Sequence, residues 1–386
     1  MEFREWFCLK NRDSFIIDPK INETDARFYF GQDNVKQQIT RQLRHSFVSG
    51  VPKMLLIGQY GSGKTQMLFY IRHMLLSQPP PTLKLKPHIV MLAIEMKSKS
   101  NHQDLHLQLM EGISKGVVSD WVGSIAKKGL NLEEELRKIF GDENVVQALV
   151  KLIVGGIDYV AWRWLTGQDL SIKELEQLRV TRNLGQIGAG AMVDELVGIG
   201  RLAELLGEKI VFLMDEAERF LNVDNRDGEN ALEDYFRDLS EKRNASIGFF
   251  VAGTARGLED AARFLVSDSV ITRMGRQNLV IIPPIPTLDD VKSFVTQMLS
   301  EVVDQGLADR TIKKDDLGIP LATYPFQVDS FDLLCEYASQ EPTRAIPRNI
   351  INAINECAIT AWDEQKRVID SAIVTGIAPL VFEQAL

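Results

Sequence analysis

The sequence predicts an α/β fold built on a five-stranded parallel sheet. Five short apolar segments are strand candidates, and segments with helical spacing separate them. The first strand candidate, 54–57, runs into a glycine-rich loop and then into residues 66–76, which contain helix formers and no breaker. The other strand candidates are 88–94, 209–214, 245–254 and 279–282. Because 88–94 is an almost uninterrupted apolar run, it predicts a strand that is buried on both faces.

The glycine-rich loop reads G-Q-Y-G-S-G-K-T at positions 58–65, which fits the phosphate-binding pattern G-x-x-x-x-G-K-[ST]. In this pattern the glycines let backbone N–H groups point inward, and the next helix presents its positive dipole end to the phosphates. Lys64 is predicted to reach the β- and γ-phosphates, and the Thr65 hydroxyl to bind Mg²⁺. The nucleotide-binding residues predicted in the loop are Gly58, Gly61, Ser62, Gly63, Lys64 and Thr65. The sequence therefore predicts a P-loop NTPase fold that binds ATP and Mg²⁺.

Two acids follow the strand candidate at 209–214. Asp215 is predicted to hold the hydration shell of Mg²⁺, and Glu216 to polarise the water that attacks the γ-phosphate. The carboxyl end of a parallel strand is where such groups meet a bound phosphate. Glu218 is expected to be a solvated helix residue. The combination predicts an ATPase, which transfers a phosphoryl group to water.

Composition limits the other functions. At 386 residues, with 45% hydrophobic and 25% charged residues, the chain can bury a large core. Its formal net charge of -9 argues against a surface that binds nucleic acid throughout, although a local basic patch leaves DNA binding open. The N-terminus carries acids and no long apolar run, which excludes a signal peptide and favours a cytoplasmic protein. The apolar region 145–165 is interrupted by charges, so we predict one amphipathic buried helix and no membrane contact.

The three cysteines and five histidines show no metal-ligand spacing. Cys8, Cys335 and Cys357 are predicted to be reduced thiols, mostly buried, and no structural zinc is expected.

The predicted domain organisation has three parts. Residues 1–27 form an N-terminal segment whose aromatic side chains favour packing on the rest of the chain. Residues 28–285 form the ATPase core, which carries a large helical insertion at about 102–208, and residues 286–386 form a helical lid. The insertion is either a surface elaboration or a module for partner or subunit contact. Its paired tryptophans, Trp162 and Trp164, are predicted to anchor its core.

The order of the motifs resembles that of AAA+ ATPases over about residues 28–365. The string F-Y-F-G at 28–31, with Gly31, resembles the AAA+ segment that contacts adenine ahead of the first helix. Thr254, at the end of the 245–254 strand, resembles the sensor 1 residue, which hydrogen-bonds the γ-phosphate or its water. A helix is also predicted at 258–265.

Two arginines complete the resemblance. Arginines just before the last strand occupy the place of the AAA+ arginine finger, with Arg273 as the first choice and Arg276 as the reserve. Proline followed by Arg348 at the start of a lid helix resembles the sensor 2 signature, with Arg344 as the competitor. The resemblance implies catalytic roles for Lys64, Asp215, Glu216, Thr254, Arg273 and Arg348. It also implies sites shared between subunits of a ring or filament.

A closer resemblance is to the ATP-binding proteins of BREX and related phage-defence systems. The strings D-E-A-E-R-F at 215–220, F-V-A-G-T at 250–254 and W-L-T-G at 164–167 carry it. It implies a nucleotide-driven switch in a multi-protein defence system. The aromatic pore-loop motif of protein unfoldases is not recognisable, so substrate threading is not expected.

Two other classes stay open at this stage. The first is a DNA-dependent ATPase, like transposition regulators or helicase loaders, that assembles on DNA and would show salt-sensitive binding. The second is a regulatory scaffold in which bound ATP holds a partner and hydrolysis is slow. A small-molecule kinase is disfavoured, because the two arginines would have no task in it.

Overall fold

A computed structural model of the protein describes residues 1–127, 131–241 and 244–384. Parts of the predicted insertion, core and lid lie outside the described residues, namely 128–130, 242–243 and 385–386.

The described residues form one five-stranded sheet. Its strands are β1 (Lys53–Gly58), β2 (Lys86–Ala93), β3 (Glu208–Asp215), β4 (Ile247–Thr254) and β5 (Leu279–Ile282). They lie in the order β2-β3-β4-β1-β5. The pairs β2/β3 and β3/β4 are parallel, with Leu92 opposite Met214 and Met214 opposite Val251. Parallel neighbours need crossover connections, and the helices between the strands supply them. The predicted α/β fold with a five-stranded parallel sheet is confirmed.

The prediction that 88–94 is buried on both faces is wrong. Strand β2 lies at the edge of the sheet, and Val90 is its one fully buried residue. An edge strand has a partner on one side only, so an apolar run there can remain partly exposed.

Eighteen α-helices occur in the described residues. They are α1 (Phe3–Trp6), α2 (Asp33–Ser49), α3 (Lys64–Ser77), α4 (His102–Ile113), α5 (Lys115–Ala126), α6 (Leu132–Ile139), α7 (Glu143–Ile153), α8 (Asp158–Leu165), α9 (Ile172–Leu178), α10 (Leu184–Ile187), α11 (Ala189–Leu205), α12 (Arg226–Ser240), α13 (Asp268–Met274), α14 (Leu288–Val302), α15 (Gln305–Lys314), α16 (Val328–Ser339), α17 (Pro347–Asp363) and α18 (Ser371–Gln384). None of the helices in the described part of the chain combines the length and apolar character that a membrane span needs.

The chain divides into two compact units. The first unit comprises Met1–Gln37, Gly58–Tyr70 and Ile281–Leu386, and the second comprises Gln38–Ile57 and Ile71–Val280. The domain boundaries predicted from the sequence stay a prediction.

The core of the first unit joins both ends of the chain. Phe7 and Phe15 are fully buried in the same cluster as apolar residues of α14, α16, α17 and α18. The amide of Phe15 also donates to the side chain of Asn355 in α17 at 3.1 Å. The aromatic N-terminal segment thus packs on the C-terminal helices. The sequence alone does not identify these helices as its packing partner, because they lie about 300 positions away.

The insertion lies in the second unit, where helices α4 to α11 cover 102–205 outside the undescribed residues. The predicted single helix at 145–165 is wrong, because α7 ends at Ile153 and α8 begins at Asp158. Gly155 and Gly156 between them adopt φ of +98° and +70°, which breaks the helical path. Trp162 and Trp164 are 5% and 0% exposed, which confirms them as core anchors.

A buried polar cluster joins three helices of the second unit. His106 in α4 lies 3.0 Å from the Tyr235 hydroxyl in α12 and 3.1 Å from the Glu195 carboxylate in α11. Its Nε2 also lies 3.0 Å from the carbonyl of Leu165, within the W-L-T-G string. Burial raises the pKa of Glu195. Since buried polar groups are costly unless paired, the cluster fixes how these helices meet.

One further helix prediction needs correction, and one helix lies where none was predicted. The predicted helix at 258–265 is only one turn of 3₁₀-helix at Leu258–Asp260. Ala261, Ala262, Phe264 and Leu265 are buried, and Arg263 between them is exposed, so these residues still cover the core although they form no regular helix. Helix α15 was not predicted.

All three cysteines are free and buried, which confirms the prediction of reduced, buried thiols. Burial raises the pKa of Cys335 and Cys357 to about 12.

At pH 8 we expect these two thiols to react with an aromatic disulfide reagent at least ~100-fold more slowly in the native protein than in urea, because only the thiolate reacts. Above about pH 9 the free energy of unfolding should fall, since the thiols ionise only in the unfolded chain. Fast titration of either thiol in the native protein would contradict this.

Candidate nucleotide site

The glycine-rich loop lies in the first unit, between β1 and α3. Gly61 and Gly63 have φ of +79° and +95°, the left-handed region that glycine occupies without strain. At Gly58 a Cβ atom would lie 2.5 Å from the Ser62 hydroxyl and 2.9 Å from the carbonyl oxygen of Ile282. The close turns of this loop therefore require glycine, as the motif predicts.

Lys64, the first residue of α3, hydrogen-bonds back to the start of the loop. Its ammonium donates to the carbonyls of Gly58 and Gln59 at 3.0 and 2.7 Å, and the residue is only 7% exposed. Ser62 is 1% exposed, and its hydroxyl has no hydrogen-bond partner among the described residues. Thr65 is the second residue of α3. A buried ammonium, an orphaned hydroxyl and a helix N-terminus fit an anion rich in acceptor oxygens, such as a nucleotide phosphate.

The aromatic segment ahead of α2 packs on this loop. Tyr29 is buried, and its ring carbon Cε2 would lie 3.5 Å from a Cβ atom at Gly63. The Tyr29 hydroxyl donates to the side chain of Gln32 at 2.6 Å, and burial raises its pKa. Gly31, with φ of +58°, lies against the Phe294 ring of α14. The structure thus brings Tyr29 to the loop, whereas Gly31 packs on α14.

Gln66 is a site neighbour that the sequence analysis missed. Its side-chain amide donates to the carbonyls of Asp25 and Phe28, both at 2.6 Å. These bonds fasten the aromatic segment to α3. No sequence pattern marks this glutamine, because its partners lie about forty positions away.

Arg348 lies beside the loop, within the first unit. Its backbone N–H donates to the carbonyl of Gly61 at 3.4 Å, and its guanidinium carbon is 4.7 Å from the centre of the Tyr60 ring. Arg344, the competitor, donates instead to Gln340 at 2.9 Å and pairs with Glu341 at 3.4 Å. Arg348 thus contacts loop residues, whereas Arg344 contacts residues next to it in sequence, and the choice of Arg348 as the sensor 2 residue stays a prediction.

Substituting Gly61 by alanine tests how tightly α17 rests on the loop. The new Cβ atom would lie 3.0 Å from the Arg348 Cβ and 3.1 Å from the Ile346 Cγ2. Gly318→Ala is the matched control in the same unit, since Gly318 has φ of +65° but no neighbouring atom within 4 Å. Both variants carry the left-handed backbone cost of about 1–2 kcal/mol. We expect Gly61→Ala to lower the free energy of unfolding by about 1 kcal/mol more in a urea titration. Equal losses of unfolding free energy in the two variants would show that α17 shifts to accommodate the new Cβ atom at no measurable cost.

The acidic pair lies in the second unit, at the end of β3. Asp215 is 6% exposed, and its carboxylate accepts the amide of Glu216 at 3.0 Å. Glu216 adopts φ of +59°, an uncommon conformation for a residue other than glycine. Nε of Arg219 donates to one Glu216 oxygen at 2.7 Å, and Nη2 of the same arginine lies 2.6 Å from that oxygen.

Thr254 lies at the end of β4, also in the second unit. Its hydroxyl donates to Glu218 at 3.0 Å, and its amide donates to the other oxygen of the same carboxylate at 2.9 Å. The expectation that Glu218 is a solvated helix residue is wrong, because this contact holds it half-buried. Since the Thr254 proton is committed to Glu218, the hydroxyl oxygen can accept a hydrogen bond from a water molecule.

The two candidate finger arginines lie at the end of α13 and after it. Arg273 donates to the carbonyl of Ser269 at 2.8 Å and lies 4.0 Å from Glu241, and its side chain is 39% exposed. The Arg276 side chain is 81% exposed and lies 3.8 Å from Asp268. Both side chains are exposed to solvent, so exposure does not show which of the two is the better candidate for the arginine finger.

Comparison with known proteins gives similar solved structures only. No family model matches the chain, and no curated protein matches it. The chain is similar to the ORC2 protein of Aeropyrum pernix, described as ADPNP–ADP complexes, with 10% identity, a TM-score of 0.48 and coverage of 97% of this chain and 72% of that one. It is similar to Cdc6p of Pyrobaculum aerophilum with 13% identity and a TM-score of 0.44, over 88% of this chain and 63% of that one. It is also similar to the ORC1 protein of Aeropyrum pernix, described as in complex with DNA, with 11% identity and a TM-score of 0.46, over 92% of this chain and 66% of that one.

Proposed function

We propose that the chain is an AAA+ ATPase that binds and hydrolyses Mg-ATP at interfaces between its own subunits and works as a nucleotide-driven switch. The single observation that supports this most is the loop of the first unit, where the buried Lys64 ammonium and the orphaned Ser62 hydroxyl lie at the start of α3. Groups of this kind bind phosphate oxygens without further rearrangement of the fold.

In this proposal each residue has one task. The loop amides and Lys64 hold the β- and γ-phosphates, and Thr65 and Asp215 hold Mg²⁺. When bound, the ion neutralises charge on the phosphate oxygens. Glu216 orients the attacking water, and Thr254 accepts a hydrogen bond from it. Before it can do so, Glu216 must leave Arg219, and a half-exposed ion pair of this kind is worth less than about 1 kcal/mol.

Arginine supplies the remaining positive charge. Arg348 contacts the γ-phosphate from the lid, and Arg273 of one subunit completes the site of the next, with Arg276 as the reserve. Hydrolysis then changes which arginine contacts exist, and this is how a nucleotide would switch the assembly between two states. The setting in a phage-defence system rests on the sequence resemblance alone.

The experiment that tests the shared site combines mass photometry with a phosphate-release assay. Mg-ATP should convert the wild-type protein into a discrete assembly. Arg273→Ala should still assemble but hydrolyse ATP about 10³-fold more slowly, as expected for a finger arginine. Arg276→Ala is the matched variant and should keep the wild-type rate. The opposite pattern would assign the finger to Arg276, and full activity of both variants in a monomeric protein would refute a shared site.

Duplex DNA in the same experiment tests the alternative function. An ATPase that assembles on DNA would require the duplex for assembly or hydrolysis, and raising the salt concentration would weaken that effect. Assembly and hydrolysis that do not respond to DNA at low salt would favour the switch.

A further inference from the structure

Helix α17 rests directly on the phosphate-binding loop through its first turn. The Arg348 amide donates to the Gly61 carbonyl at 3.4 Å, and a Cβ atom at Gly61 would meet the Arg348 Cβ at 3.0 Å. The backbone of Arg348 is therefore fixed against the loop, which leaves its long side chain as the variable part.

The side chain of Tyr60 supplies a support for that arginine. Tyr60 occupies a variable position of the loop motif and is 71% exposed, which is unusual for a large aromatic residue that serves only packing. The Arg348 guanidinium carbon lies 4.7 Å from the centre of its ring, within the range of a cation–π contact.

The Arg348 side chain contacts an aromatic ring, whereas the Arg344 side chain contacts polar groups. A ring that meets a guanidinium group through its π-face uses none of the five N–H donors. Arg344, by contrast, donates to Gln340 and pairs with Glu341. Arg348 is thus held in place while its donors stay directed to the surroundings, where a phosphate oxygen could accept them.

We propose that Tyr60 is a positioning residue that holds the Arg348 guanidinium over the phosphate-binding loop, so that the protein distinguishes ATP from ADP. This inference rests on the proposed function. The contact with Tyr60 restricts the rotamers of the Arg348 side chain before the nucleotide binds, so that less conformational entropy is lost on binding. The gain in affinity appears only with a ligand that Arg348 contacts. That ligand group is the terminal phosphate.

The test is isothermal titration calorimetry with Mg-ADP and with a non-hydrolysable Mg-ATP analogue. Tyr60→Ala should raise the Kd of the triphosphate about two- to five-fold, the range of an exposed cation–π contact, and leave the Kd of ADP unchanged. Tyr60→Phe should behave as wild type, because the ring is kept. In the Arg348→Ala background, Tyr60→Ala should have no further effect.

Several results would overturn the inference. Equal losses for ATP analogue and ADP would mean that Tyr60 shapes the loop itself. Equal effects of Tyr60→Phe and Tyr60→Ala would assign the effect to the hydroxyl, and tighter triphosphate binding by Tyr60→Ala would mean that the ring holds Arg348 away. Failure of the wild-type protein to bind either nucleotide would instead refute the proposed function, before any variant is compared.

Discussion

Replacing Lys64 by alanine is expected to lower ATP hydrolysis at least about 100-fold. In the proposed mechanism the ammonium is the charged donor to the β- and γ-phosphates, and the loss of one such donor typically costs a factor of 10²–10³. In the structure the same group donates to the carbonyls of Gly58 and Gln59. Binding of the nucleotide would therefore exchange carbonyl partners for phosphate partners. Phosphate release and calorimetric ATP binding measure the effect.

The matched control is Lys20→Ala, which removes an exposed lysine of the same unit. It should hydrolyse ATP at the wild-type rate. Thermal unfolding of both variants separates loss of chemistry from loss of fold, since the carbonyls that Lys64 leaves behind can cost about 1–3 kcal/mol. A well-folded Lys64→Ala protein with wild-type hydrolysis would refute the phosphate-binding role of the loop.

Glu216→Gln should bind ATP with near wild-type affinity and hydrolyse it about 10²–10⁴-fold more slowly. Glutamine keeps the shape of the side chain but cannot act as a general base toward water. The variant also breaks the pair with Arg219, and because both side chains are partly exposed, at 32% and 49%, the fold should lose less than about 1 kcal/mol. Mass photometry with Mg-ATP should therefore show an assembly that persists.

Glu229→Gln serves as the control, since Glu229 is an exposed acid of α12 in the same unit. It should leave both assembly and turnover unchanged. Rapid turnover by Glu216→Gln would remove this residue from the proposed mechanism, and loss of ATP binding would mean that it acts on affinity and not on the attacking water.

The sequence by itself determined the elements whose signals are local. Each of the five strands was predicted, because an apolar run bounded by polar or glycine residues specifies the position of a strand within a few residues. The loop at 58–65 was predicted with its glycine requirement, because the motif encodes backbone conformations directly. Proline at the first position of α17 likewise marked the start of that helix.

Only the tertiary structure decided the contacts between distant residues. Glu218, expected to be solvated, is the half-buried partner of Thr254. Arg348 contacts Gly61 and Tyr60, which lie far from it in sequence. The partial exposure of β2 followed from its edge position, which depends on the order of all five strands. Periodicity reports which residues are apolar along one element. Periodicity does not report which other element packs against that one. The packing partner depends on the burial and hydrogen bonding of the whole chain at once.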